Sequence, residues 1–100
     1  MKHKQMVDIE VGGFSRRLRF DFNAIAALEE ATGKTISEIG DNPGAREIRA
    51  MLWAGLLHEL PKLTINQAGD MIDFEKIGYI GEKIQEAFAL AMGQPVQEKN

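Results

Sequence analysis

Two histidines, fifteen carboxylates and no cysteine are what this 100-residue chain offers for chemistry. Catalysis needs a nucleophile within reach of a base, a converging metal cluster, or paired acids in a pocket. His3 is expected to lie in a mobile terminus. His58 stands beside Glu59 at the end of an apolar run, where a cation suits the negative end of a helix. Asp70 and Asp73 lie three apart, but two carboxylates alone are weak metal ligands, and Asp73 is placed to cap a helix. Gly12-Gly13 is not followed by a G-x-x-x-x-G-K pattern, so it reads as a turn and not a phosphate loop. The lack of cysteine excludes disulfides and thiolate metal sites. The residues point to a non-enzymatic protein with no cofactor and no metal.

Contact chemistry is better provided for. The first twenty residues hold five Lys and Arg against two acids, a net +3, so with −3 over the whole chain the other eighty carry −6. A basic end on an acidic body favours head-to-tail association. At 44% hydrophobic and 27% charged, the composition is that of an ordinary globular domain. No apolar run approaches the ~18 residues of a membrane span, and no signal-type apolar stretch follows Met1-Lys2-His3-Lys4-Gln5. We therefore expect a cytoplasmic protein with no membrane partner.

The elements that position these groups follow from periodicity. Val7, Ile9 and Val11 alternate with polar residues, Gly12-Gly13 makes a tight turn, and Phe14 to Phe20 returns as a second strand. A two-residue turn pairs Val11 with Phe14, Ile9 with Arg16, Val7 with Leu18, and Asp8 with Arg17. One face then holds Val7, Val11, Phe14, Leu18 and Phe20. The other holds Asp8, Glu10, Arg17 and Arg19 as cross-strand ion pairs. Arg16 interrupts the apolar face, with either its head in water at the rim or an acidic partner.

The period then changes to 3.6. A first helix is expected from Asp21 or Asn23, burying Phe22, Ile25, Ala26 and Leu28 and ending at Gly33. Thr35 and Glu38 form a capping box that opens a short helical turn. A main helix over Ala45–Leu60, stopped by Pro61, is apolar almost all round and so is expected to be the buried centre, with Trp53 filling core. Thr64 and Gln67 open a short helix to Ile72. Asp73 caps the last helix, Phe74 to Met92, whose stripe is Ile77, Ile80, Gly81, Ile84, Ala87, Phe88 and Ala91. The expected fold is α+β and mostly helical: an N-terminal β-hairpin (residues 4–20), then a bundle of four to five helices (within 22–92) around a central buried helix. Residues 1–93 make one domain, and 94–100 a polar tail.

A helix-turn-helix DNA-binding regulator is the alternative from another class. Leu63 to Ile72 has the threonine cap and small alanine of a first helix. The next helix begins Asp73-Phe74-Glu75-Lys76, however, and acids at the groove-facing end repel phosphate. Nucleic acid is not the expected partner.

Three blocks are similar to the tail assembly chaperones of siphophage-like tails, as found in prophages and gene transfer agents. They are Leu18 to Gly33, Leu52-Trp53-Ala54-Gly55-Leu56-Leu57-His58-Glu59, and Leu63-Thr64 with Ala68-Gly69. The resemblance implies a protein that binds the tape measure protein, keeps it soluble, and helps gather tail tube subunits around it. A structural head–tail joining protein of the same phage class is the other reading. Neither reading brings a residue motif with it. The candidate contact residues are therefore those of the basic hairpin, Phe14, Arg16, Arg17 and Arg19. Its two strand edges would pair between copies in a homo-oligomer.

Overall fold

The computed structural model describes Met6–Gly93. Strands β1 (Met6–Val11) and β2 (Phe14–Arg19) form one antiparallel pair in the expected register, Val11 opposite Phe14 through Met6 opposite Arg19. Gly12 and Gly13 both take positive φ, 61° and 83°, as a two-residue hairpin turn requires. Lys4 and Gln5, the expected start of the hairpin, and the tail 94–100 lie outside the described residues.

Helix α1 (Phe22–Thr32) follows, with Asp21 accepting from the Ala24 N–H at its start and Gly33 closing it at φ 71°. The capping box of Thr35 and Glu38 opens α2 (Ile36–Ile39). Helix α3 (Ala45–Leu56) runs through the middle, and the box of Thr64 and Gln67 opens α4 (Ile65–Asp70). A 3-10 turn, Phe74–Lys76, leads into α5 (Ile77–Ala91). Helix α3 packs against α1, α4, α5 and β2, while α5 covers β1. The central helix is thus buried as its composition demands, and hairpin and helices share one core.

The centre of that core is a close crossing. Gly55 of α3 lies so near β2 that a Cβ there would fall 2.8 Å from Leu18 Cδ2 and 3.0 Å from Phe20 Cζ. Phe20 in turn stacks on Phe88 of α5, ring centroids 4.3 Å apart and planes 6° from parallel. Trp53 is half-buried and its Nε1–H donates to the Leu63 carbonyl at 2.8 Å, so it ties α3 to the approach of α4 as well as filling core.

Several expectations need correction. Phe22 is 85% exposed and Ala26 is exposed as well. The buried line of α1 is Ala24 and Leu28, and at 100° per residue Phe22 and Ala26 fall on the opposite side. Helix α3 ends at Leu56, four residues early, because Pro61 and the restriction it puts on Leu60 tighten the last turn. There Leu57 and Glu59 donate to carbonyls three residues back. Asp73 makes no side-chain cap; its carbonyl instead accepts from the Lys76 N–H at 2.8 Å. In the sheet Arg17 turns to Glu59 and not to Asp8, and Glu10 accepts from the Ser15 hydroxyl.

One carboxylate is buried. Glu47, 8% exposed in the first turn of α3, accepts from the Gly44 N–H at 2.9 Å and from Lys34 Nζ at 2.8 Å. The Lys34 hydrogen bond, with the helix N-terminal amides, holds its pKa below the usual 4.5. This pair joins the end of α1 to the start of α3.

Two expectations follow from this packing. Gly55→Ala forces a methyl against fully buried Leu18 and should cost about 1–3 kcal/mol in urea unfolding. Gly81→Ala, where the added methyl meets nothing within 4 Å, should instead stabilise the protein, by roughly 0.5–1 kcal/mol. For Glu47 the folded-state pKa is depressed, so its contribution is present above pH 4.5 and lost as pH falls through the folded value. Glu47→Gln keeps the acceptor for Gly44 but removes the ion pair. Urea midpoints measured between neutral and acid pH should therefore fall less steeply for this variant than for the natural protein.

Candidate partner-binding surface

The hairpin brings its four candidate residues to two places. Phe14 and Arg16 share the face that turns toward the core, but Phe14 lies next to the turn and is 63% exposed. The Arg16 guanidinium stands over the Phe14 ring, 5.1 Å from its centroid, a cation–π contact. Arg16 has no acidic partner among the described residues, and its buried Nε–H donates to nothing. Arg17 and Arg19 point to the other side of the ribbon. Arg17 Nε is 3.5 Å from a Glu59 oxygen, and Arg19 is only loosely held by Asp21 at 3.8 Å, both pairs being partly in solvent.

The strand edges are not free at their centres. On the β2 edge the Arg17 N–H donates to Glu59 Oε1 at 3.3 Å, and the Arg17 carbonyl accepts from His58 Nε2 at 2.7 Å. On the β1 edge the Glu10 N–H donates to the Tyr79 hydroxyl at 2.8 Å. Side chains from the tight end of α3 and from α5 thus occupy groups that a further strand would need. His58 acts here as a donor to the sheet, a role that its place at a helix end did not suggest. The early end of α3, which turns His58 and Glu59 toward β2, is forced by Pro61.

A second surface escaped the sequence reading altogether. At the junction of α4 and α5, Phe74 is 92% exposed and Ile77 is exposed beside it. With Ile48 of α3 and Ile72 they wall a cavity of about 600 Å³. Ile72 and Asp70 are shared with a neighbouring cavity of about 530 Å³, which runs to Met71, Phe14 and the hairpin turn. The two adjoin at the junction of α4 and α5, and the one beside the hairpin turn is the more polar. The floor beside the turn is set by packing: a Cβ on Gly12 would come 3.0 Å from Met71 Cγ, so the turn rests on the end of α4. Glu10, Asp70 and Asp73 line these cavities against Lys76 and Arg49, with Arg49 Nη1 directed at Asn66, 3.4 Å away. Phe74 stands out because α5 starts only at Ile77, after a 3-10 turn, so the apolar stripe does not extend back to it. The one signal in the sequence was an aromatic set between Asp73, Glu75 and Lys76.

No three His, Asp or Glu side chains converge as a metal cluster among the described residues. None of the described helices is long and apolar enough to cross a membrane. No family model, no curated protein and no solved structure matches the chain.

The edge contacts can be tested directly. Tyr79→Phe leaves the Glu10 N–H without its partner and should cost about 1 kcal/mol, toward the low end because the site is near solvent. Amide exchange should quicken at Glu10 and leave β2 residues such as Leu18 nearly unchanged.

Proposed function

We propose that this protein is a non-enzymatic assembly factor of the phage type, a tail assembly chaperone that holds the tape measure protein and helps bring tail tube subunits to it in the host cytoplasm. The observation that carries this reading is the exposed pair Phe74 and Ile77, which with Ile48 and Ile72 wall a largely apolar cavity at the α4–α5 junction. Contiguous exposed apolar surface on a small protein marks a contact site. A cavity with aromatic and branched walls suits the apolar stripe of a helix. Long helical partners with exposed stripes need such cover before they assemble.

The sequence resemblance supports the same reading and includes the residues that build the centre of the fold. Leu18, Phe20, Leu28 and Gly55 lie in its blocks, as do Ala68 and Gly69 of α4, over which the Arg49 stem lies. Charge weighs against the DNA-binding alternative. Asp70, Asp73 and Glu75 cluster at the entrance to the helix that would read the groove, and Lys76 is the lone cation among them.

Co-expression with the tape measure protein is the test. The natural chain should raise the soluble yield of that protein, and Phe74→Ser with Ile77→Ser should abolish the gain. Loss of exposed anchor residues should weaken binding by roughly tenfold or more, while circular dichroism stays unchanged because neither side chain is in the core. Unchanged yield with and without the natural chain would favour a joining protein over a chaperone.

A further inference from the structure

Helix α5 has an apolar cavity at each end. At its start Ile77 stands with Phe74, Ile48 and Ile72 around the cavity of about 600 Å³ already described. At its far end Phe88, Ala89 and Met92 wall another, of about 440 Å³, against Ile36, Ile39 and Met51. The 15 residues of α5 set the two apart, by ~22 Å at 1.5 Å per residue. At 100° per residue Ile77, Gly81, Phe88 and Met92 fall within about 60° of one another, with Gly78 beside them. Nothing stands in the way along this line, because a Cβ on Gly78 or Gly81 would meet no atom within 4 Å.

Charge inside the first cavity selects no sign, since Arg49 stands there with Asp70. The solvent edge of the line is different. Glu75 and Glu82 lie along that edge one heptad apart. Both are exposed, and neither makes an ion pair among the described residues. Glu86 follows them, 3.7 Å from Lys83. Lys76 and Lys83 lie roughly opposite Gly81 on the helix, away from the line. We infer that this line takes a basic amphipathic helix from a partner protein. Its apolar side chains enter the two cavities, its backbone passes over Gly78 and Gly81, and its lysines or arginines, one heptad apart, meet Glu75 and Glu82. A second copy of α5 laid on the same line would set acid against acid. The inference deepens the partner reading above and rests on it, adding the docking line and the charge of the helix that is held.

Two synthetic helical peptides as long as α5 test it, both with the same leucines along one face. One carries lysines at heptad spacing beside that face, and the other carries glutamates. Each is titrated into the full chain and followed by amide chemical shifts. The lysine peptide should bind at least about tenfold more tightly, with an advantage that shrinks as salt rises. The largest shifts should fall at Gly78, Gly81 and the walls of the two cavities. Glu75→Lys with Glu82→Lys should remove the preference. Asp8→Lys with Glu30→Lys makes the same change of net charge at exposed positions on β1 and α1, and should keep it. All four side chains are exposed, so circular dichroism should be unchanged in both variants. Equal binding of the two peptides, binding of neither, equal loss in both double variants, or shifts confined to other elements overturns the inference. Rescue of the tape measure protein that survives Glu75→Lys with Glu82→Lys also overturns it and leaves the chaperone reading standing. Selection of the basic helix at α5 without any rescue supports the docking line and removes the chaperone reading.

Discussion

Where the end of β2 crosses α3, the helix has a glycine, and Leu18 of the strand and Phe20 just beyond it bring two large core side chains. Leu18 and Phe20 occupy the space that a Cβ on Gly55 would take. This approach sets the distance between the sheet and the central helix. Everything else is built on it. Phe20 is held flat against Phe88, so α5 is pinned over the same strand that α3 touches. With α1 and α4 on its remaining sides, α3 can be apolar almost all round and still leave little of itself in water. A two-stranded ribbon is marginal alone. Here it is stable because its apolar face is pressed on two helices at once.

The edges of that ribbon follow from the same arrangement. A hairpin laid on helices still leaves backbone groups along both sides, and exposed edges invite pairing. Pro61 shortens α3, and the tightened turn carries His58 and Glu59 to the N–H and carbonyl of Arg17. Helix α5 brings Tyr79 to Glu10 on the other side. The hairpin is therefore closed at its middle on both edges by side chains and not by a third strand. The exposed aromatic side chains lie away from these edges, at the hairpin turn, the start of α1 and the α4–α5 junction.

Local features were legible in the sequence, and phase was not. The Gly12-Gly13 turn and the strand register, the caps of Asp21, Thr35 and Thr64, and the buried role of α3 depend on neighbours in the chain. They appear as read. Phe22 was expected to be buried, Phe14 was named as a contact residue on the core-side face of the hairpin, and Phe74 was given no direction. All three stand at an element's end, where a periodic pattern cannot fix direction. In α1 a line of Ala24, Ile25 and Leu28 competes with one of Phe22, Ile25 and Ala26, and the smaller residues win because α3 lies close on that side. In α5 the 3-10 turn displaces Phe74 from the stripe. Next to the hairpin turn Phe14 keeps the right face but stays largely in solvent. Cross-strand charge pairing failed differently: Glu59, 42 residues from Arg17, offers both a backbone contact and an ion pair that Asp8 does not.

The three outward aromatics carry a physical cost that an ordinary surface avoids. Scattered exposed apolar residues are common on proteins, but Phe14 and Phe74 line adjoining cavities that share Asp70 and Ile72. Charge is mixed at both places: Asp8 and Glu10 stand on the hairpin with its arginines, and Arg49 and Lys76 stand near the acids of the α4–α5 junction. What sets these places apart from the rest of the surface is their exposed aromatic side chains and not the sign of their charge.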